Sequence, residues 1–392
     1  MADSVLNRLR TWWFNVHLWI GVGLFVLLVP LGLTGTVLVY HDEIDHLMHP
    51  ERFVVSQSTA TLGPAAYLDA AGKAFAGKAR PTRITYPDDA GAPVVVSGLP
   101  SDFKPGARPR PINAWLDPAD GHALSVGPGM DGIVRWSHDF HGQLLVPPMG
   151  RSLVGWLGVI MLIQSLTGIW LWWPRGGSPL RAFRWGRTGF VGMNIHHLIG
   201  FWLSIPLAIL SVTGIWISFP QIGRAFAPPP PAGFEGRMPG GRGGPGGAGG
   251  PGGRPGFAPP IANPQLTADQ ALQAAQDLDP NSRVVSISLP TEGGRKPSWQ
   301  VQLKPVGEAK PVTIRVSDAT GEAREGGGFG GPGGGANRDP LSRAMRQIHD
   351  GDDTGPIWKL IVALTGLAPA ILGVTGLIRW ATSRRRRVVP AA

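Results

Sequence analysis

The feature that most constrains this chain is an apolar run of helix length that occurs twice. Asn194 to Gly214 reads NIHHLIGFWLSIPLAILSVTG, and Asn15 to Gly35 reads NVHLWIGVGLFVLLVPLGLTG. At an offset of 179 residues, without a gap, Asn15 falls on Asn194, His17 on His196, Gly21 on Gly200, Thr34 on Thr213 and Gly35 on Gly214. A second pair recurs at an offset of 208, with His141 on His349, Pro148 on Pro356, Gly158 on Gly366, Thr167 on Thr375 and Gly168 on Gly376. The chain is two copies of one unit, and each apolar segment carries a histidine. Ionisable groups in or at the rim of a membrane span are costly, so a repeated pair of them points to function.

Four runs, about 14–40, 152–173, 193–219 and 357–380, are long and apolar enough to cross a bilayer. The expected fold class is therefore membrane α-helical, a four-transmembrane-helix bundle built by internal duplication with two soluble α+β inserts. The expected segments are a first span in 1–40, an insert in 41–150, a second span in 151–174, a basic loop in 175–192, a third span in 193–219, a second insert in 220–355 and a fourth span with a basic tail in 356–392.

Charge orients this arrangement. The net charge of +10 is concentrated at one set of span ends: Arg8 and Arg10 before the first, Arg175, Arg181, Arg184 and Arg187 between the second and third, and Arg384 to Arg387 after the fourth. Short basic segments stay in the cytoplasm. The opposite ends are acidic, with Asp42, Glu43 and Asp45, then Asp350, Asp352 and Asp353. Both termini are thus expected in the cytoplasm and both inserts in the periplasm of a bacterial inner membrane. The arginines are topology determinants, so lipid is the expected surrounding and no nucleic-acid partner is expected. The apolar part of the first helix is too long for a secretory signal, and no small-x-small cleavage site follows cleanly, so it reads as a retained anchor. Tryptophans at span ends, among them Trp12, Trp13, Trp172, Trp173, Trp358 and Trp380, read as an interfacial belt.

The first insert opens with HDEIDHLMHP, in which His41, His46 and His49 suggest a solvated, metal-tolerant rim. A helix is expected from Gly63 to Phe75, then strands at Thr82–Tyr86, Pro93–Ser97 and Ile112–Leu116, the last closing in an Asp117-Pro-Ala-Asp120-Gly121 turn. The second insert repeats the order: Thr267 capping ADQALQAAQDL, strands at Val284–Leu289, Trp299–Leu303 and Thr313–Val316, and an Asp318-Ala-Thr-Gly321 turn. A Pro/Gly tract from Pro228 to Pro260, carrying Arg237, Arg242 and Arg254, and a Gly-rich tract at Gly326–Gly335 read as mobile spacers.

The chain has no cysteine, which excludes iron–sulfur clusters, covalent haem attachment and thiol nucleophiles. Chain direction places His17 and His196 near the cytoplasmic ends of their spans, and His141 and His349 at the outer face. Two histidines at matched depth clamp a porphyrin iron from both sides, so two haem b groups are the expected cofactors, with His17, His196, His141 and His349 as axial ligands. Zinc fits less well, since two histidines lack the third ligand of a catalytic zinc site. A straight helix rises about 26 Å between His17 and Thr34. Thr34-Gly35 and Thr213-Gly214 therefore share the outer layer, and Thr167-Gly168 and Thr375-Gly376 the inner one, as small residues that leave room for a flat macrocycle. As ligands, His138, whose repeat counterpart is Arg346, and His197 are second choices. The catalytic residues are not identified by sequence.

On the His-x-x-Ile-Gly pattern at His17 and His196, the Thr-Gly span ends, His-Asp-Phe-His-Gly at His138–Gly142 and the Asp-x-x-Gly strand ends, the chain resembles the PepSY-associated transmembrane proteins over nearly its whole length. This family includes ferric-siderophore reductases and iron-regulated inner-membrane proteins. The resemblance implies an oxidoreductase of iron uptake, passing electrons outward to a ferric siderophore docked between two PepSY modules. The sequence shows no dinucleotide or flavin fingerprint, so the electron donor is expected to be a separate cytoplasmic reductase or a quinol. The rival from another class is a cofactor-free PepSY scaffold or sensor for a periplasmic peptide or protease; a transporter is disfavoured because the spans lack acidic pathway residues.

Overall fold

The computed structural model describes residues 2–104, 110–174, 188–226, 258–292, 296–307, 311–326, 340–352 and 354–388. The arginines of the link after the second span, Arg237, Arg242, Arg254, Asp353 and most of both Gly-rich tracts lie outside these residues. In chain order the helices and strands are α1 (Ala2–Gly23), α2 (Phe25–Val39), α3 (His41–Met48), a 3₁₀ turn (Pro50–Phe53), α4 (Pro64–Phe75), β1 (Ala79–Thr85), β2 (Val94–Pro100), β3 (Ile112–Leu116), β4 (Ala123–Pro128), α5 (Gly132–Gln143), α6 (Gly150–Trp172), α7 (Val191–Ser218), α8 (Pro220–Phe226), α9 (Ala268–Gln276), β5 (Arg283–Ser288), β6 (Ser298–Lys304), β7 (Val312–Ser317), β8 (Ala323–Glu325), α10 (Pro340–Asp350) and α11 (Pro356–Val388). The chain divides into a helical unit, Met1–Asp42, Gly132–Pro228 and Ala336–Ala392, and a second unit, Glu43–Asp131 and Pro229–Gly335.

In the helical unit, Gly150–Trp172, Val191–Ser218 and Pro356–Ser383 are each long and apolar enough to cross a membrane. The first expected span differs from a single straight helix: Val5–Gly23 and Phe25–Val39 meet at a 70° bend and together make a fourth candidate span. The break falls at Gly23-Leu24, in a stretch already weakened by Gly21 and Gly23, and Pro30 lies further along α2. The straight-helix rise of about 26 Å from His17 to Thr34 is therefore an overestimate. Large apolar side chains face outward along the spans, with Val26 76%, Trp202 61% and Trp156 60% exposed. A soluble core would bury these; in lipid they are at home, and the protein is a membrane protein.

Small residues let the helices approach. On α2 and α11, a Cβ at Gly32 would strike the Gly366 carbonyl, and Thr36 Oγ1 donates to the Ala363 carbonyl at 3.0 Å. On α6 and α7, a Cβ at Gly155 would meet the Phe219 ring at 2.5 Å. Trp172 departs from the expected belt: it is buried and stacks on Phe201 at 4.1 Å between ring centres. Arg10 also does more than mark topology, since its guanidinium donates to the Leu171 and Trp173 carbonyls at the end of α6.

The other unit is one eight-stranded antiparallel sheet, in the order β4-β3-β2-β1-β5-β6-β7-β8. The two expected modules are its halves, joined where β1 pairs with β5 through Arg83↔Ser288, Ile84↔Ile287 and Thr85↔Ser286. The seam between the halves is thus a backbone ladder. α4 and α9 contribute to a single core that holds Tyr67, Phe75, Ile84 and Val96 from the first half and Ile287, Trp299, Val301 and Leu303 from the second. Helix α9 starts in a capping box, Thr267 accepting from the Gln270 N–H while the Gln270 side chain accepts from Thr267 N–H. The short closing strands β4 and β8, helix α3 and the 3₁₀ turn are additions to what the sequence suggested.

Candidate functional site

His17 lies on α1 and His196 on α7, both within candidate spans. His141 and His349 do not lie on the long spans: α5 and α10 are separate short helices that precede α6 and α11. Helix α10 is tied down by two indoles, Trp216 Nε1 donating to Ser342 Oγ at 3.0 Å and Trp358 Nε1 donating to the Ile348 carbonyl at 2.9 Å. Between α5 and α6 the chain reverses through Leu144 and Leu145 in the left-handed region, φ 50° and 58°. The second copy makes its reversal with Gly351 and Gly355, φ 80° and 86°, where glycine bears no such cost.

The four rings form two pairs. His17 and His196 have ring centres 6.5 Å apart and planes crossed by 78°. His141 and His349 stand 6.1 Å apart, tilted by 51°. A metal–imidazole bond of about 2.0 Å plus about 1.1 Å from ring nitrogen to ring centre puts two axial imidazoles about 6.2 Å apart. Both observed separations lie close to that spacing.

The Thr-Gly dipeptides sit behind these rings. Thr167 Oγ1 lies 2.9 Å from His17 Nδ1, Thr375 Oγ1 3.0 Å from His196 Nδ1 and Thr213 Oγ1 2.9 Å from His349 Nδ1. Each of these hydroxyls also lies within bonding distance of helix carbonyls three and four residues back, Thr167 with Ile163 and Gln164, Thr213 with Ile209 and Leu210, and Thr375 with Ile371 and Leu372. A hydroxyl has one proton, and the helix takes it, so the oxygen accepts and the imidazole Nδ1–H donates. His141 Nδ1 donates directly to the Leu31 carbonyl at 2.9 Å, and Thr34 Oγ1 bonds Pro30 and Leu31 without reaching the ring. With Nδ1 protonated in all four, Nε2 carries the lone pair, and none of the four Nε2 atoms has a hydrogen-bond partner among the described residues.

The glycines leave room for the imidazoles themselves. A Cβ at Gly35 would meet His141 Cε1 at 2.9 Å, at Gly214 His349 Cε1 at 3.1 Å, at Gly168 His17 Cε1 at 3.3 Å and at Gly376 His196 Cε1 at 3.7 Å. Burial pushes the His141 ring down to about 4, with His349 adding to the effect, and pushes His349 down to about 4 with help from Arg346. Both rings are therefore neutral at pH 7, the state a metal requires.

The other histidines singled out by the sequence do not join the two pairs. His138 is about half exposed beside Asp139, and His197 packs edge-on to His196 at 6.5 Å. His41 bonds the Leu38 carbonyl, His46 stacks on Phe53 at 3.5 Å, and His49 bonds Asp131 at 3.0 Å. Among the described residues no group of three or more His, Cys, Asp or Glu converges to hold a metal ion. Sequence reasoning missed Leu31, whose carbonyl carries no side-chain signal. It also missed Arg52, which is 2% exposed, pairs with Asp45 at 2.5 Å and lies 3.9 Å over the Trp115 ring.

Compared with known families, residues 14–383 match the model of the PepSY-associated TM region. The chain belongs to the PepSY-associated TM family. The match runs from the first span to the end of the fourth, so it covers every paired histidine and both halves of the sheet. No curated protein matches the sequence.

Proposed function

We propose that this PepSY-associated membrane protein holds two haem b groups, on His17 with His196 and on His141 with His349, and reduces a ferric siderophore outside the bacterial inner membrane. The observation that carries the reading is the pairing of four imidazoles, each with Nδ1–H spent on the protein and Nε2 free, at separations that suit one metal between two rings. Haem held by these paired histidines would supply a one-electron couple suited to electron transfer rather than oxygen chemistry. The chain's own part is to keep four rings neutral, oriented and separated into two pairs. The four-span bundle, with a basic cytoplasmic side and periplasmic inserts, follows from the charge asymmetry. Siderophore oxygens are hard donors that hold Fe(II) far less tightly than Fe(III), so delivery of one electron frees the metal for uptake. The donor is a separate reductase or a quinol.

A cofactor-free scaffold gives no reason for four rings that each have Nδ1 bound to the protein and Nε2 without a partner among the described residues. An absorption spectrum of the detergent-purified protein tests the reading: a Soret band with a sharp α-band on reduction is expected. His17→Ala and His349→Ala should each remove about one haem of two. A colourless protein from haem-replete cells, or unchanged haem content in both variants, overturns it.

A further inference from the structure

The duplication makes the four histidines equivalent in sequence, yet the structure does not anchor them alike. Thr167 and Thr375 are repeat mates, and each hydroxyl accepts from the histidine of its layer, His17 and His196. Each ring also has a helix carbonyl as hydrogen-bond partner, that of Gln164 for His17, Leu372 for His196, Leu210 for His349 and Leu31 for His141. Thr213 and Thr34 are also repeat mates, but only Thr213 reaches its histidine, His349; the Thr34 hydroxyl stays on its own helix, so His141 has the Leu31 carbonyl without a hydroxyl beside it.

We propose that Thr167, Thr375 and Thr213 are positioning residues that set the basicity and plane of the ligands His17, His196 and His349, and that Thr34 has no such role toward His141. This rests on the haem-holding reading above. An imidazole whose Nδ1–H is donated to an acceptor is a more electron-rich ligand at Nε2, and a second anchor fixes the ring about its Cβ–Cγ bond. Loss of the hydroxyl leaves Nδ1–H with the backbone alone, so Nε2 becomes a poorer donor and the ferric state loses stabilisation. The inner pair has one hydroxyl per ring and the outer pair one hydroxyl in all, so the two sites respond differently to the same substitution.

The experiment is a redox titration, with electron paramagnetic resonance of the ferric state, on full-length holoprotein carrying Thr167→Val, Thr213→Val, Thr375→Val or Thr34→Val, and on the matching Ser variants. Valine keeps the branched shape and removes the oxygen; serine restores the oxygen. Thr167→Val and Thr375→Val are expected to shift the same one of two midpoint potentials upward and to alter its ferric signal, and Thr213→Val to shift the other. Each Ser variant should return the parent values, and Thr34→Val should move both potentials less than Thr213→Val does. Unmoved potentials and signals with both haems retained overturn the proposal. So does haem loss that serine fails to rescue, which would mean the threonines only pack helices. A colourless parent protein instead overturns the haem reading itself, and the parent's spectrum tells the two failures apart.

Discussion

In the four paired imidazoles Nδ1 is tied to a threonine hydroxyl or a backbone carbonyl, which leaves the lone pair on Nε2. The same economy of single contacts appears at the strand ends of the sheet unit. Asp117 accepts from Ser56 N–H at 2.7 Å, Ser56 Oγ–H at 2.9 Å and Ala119 N–H at 2.8 Å. At the corresponding turn of the second half, Asp318 accepts from Gln265 N–H, Leu266 N–H and Trp299 Nε1–H. The turn glycines Gly121 and Gly321 have φ of 74° and 70°, a region closed to most side chains, which is why this turn was legible in sequence. Burial works to raise the Asp117 carboxyl, but the hydrogen bonds from Ala119 and Ser56 outweigh it and hold the group below the usual carboxylate range. A carboxylate depressed on folding stabilises above its ordinary value of about 3.9 and loses that contribution as pH falls through the lower folded value. Asp117→Ala should therefore cost about 1–3 kcal/mol at pH 7, where it leaves two backbone N–H groups unpaired. The gap to the parent should narrow at pH 3, measured as denaturation midpoints of the full chain at both values.

At the scale of elements, the Thr-Gly ending of each long helix is one device: the threonine bonds or flanks a ring, and the next residue gives the ring its space. The distances grade the effect of a methyl group. Gly35→Ala, with its Cβ 2.9 Å from His141 Cε1, and Gly214→Ala, 3.1 Å from His349 Cε1, should displace their rings. Gly376→Ala, 3.7 Å from His196 Cε1, makes an ordinary contact. Haem content should fall in the first two variants and hold in the third, and equal loss in all three would mean that the glycines serve helix packing alone. The apolar runs showed where helices lie, because length and hydropathy are local. They hid the break at Leu24 and the separation of α5 from α6, because Leu144 and Leu145 occupy left-handed backbone that leucine rarely adopts. Local bonds close the turn, from Leu144 N–H to the Phe140 carbonyl at 2.7 Å and from Leu145 N–H to the Asp139 carbonyl at 3.2 Å.

For the whole molecule, the two inserts share one fate. Ile84 and Ile287 are fully buried opposite each other at the β1–β5 seam, in a core that draws on both halves. Ile84→Ala should cost about 2–5 kcal/mol and lower protection from hydrogen exchange in β5 and β6 as much as in β1 and β2. Loss confined to the first half would show two independent modules. The sequence alone determined the duplication, the membrane class, the order of helix and strands in each insert and the candidate rings, because these follow from hydropathy, period and residue type along the chain. The tertiary structure decided that the inserts form one sheet, that His141 and His349 ride on helices of their own, and that three threonines but not the fourth reach a ring. Each of these depends on which distant backbone a side chain meets, and no local pattern encodes a distance.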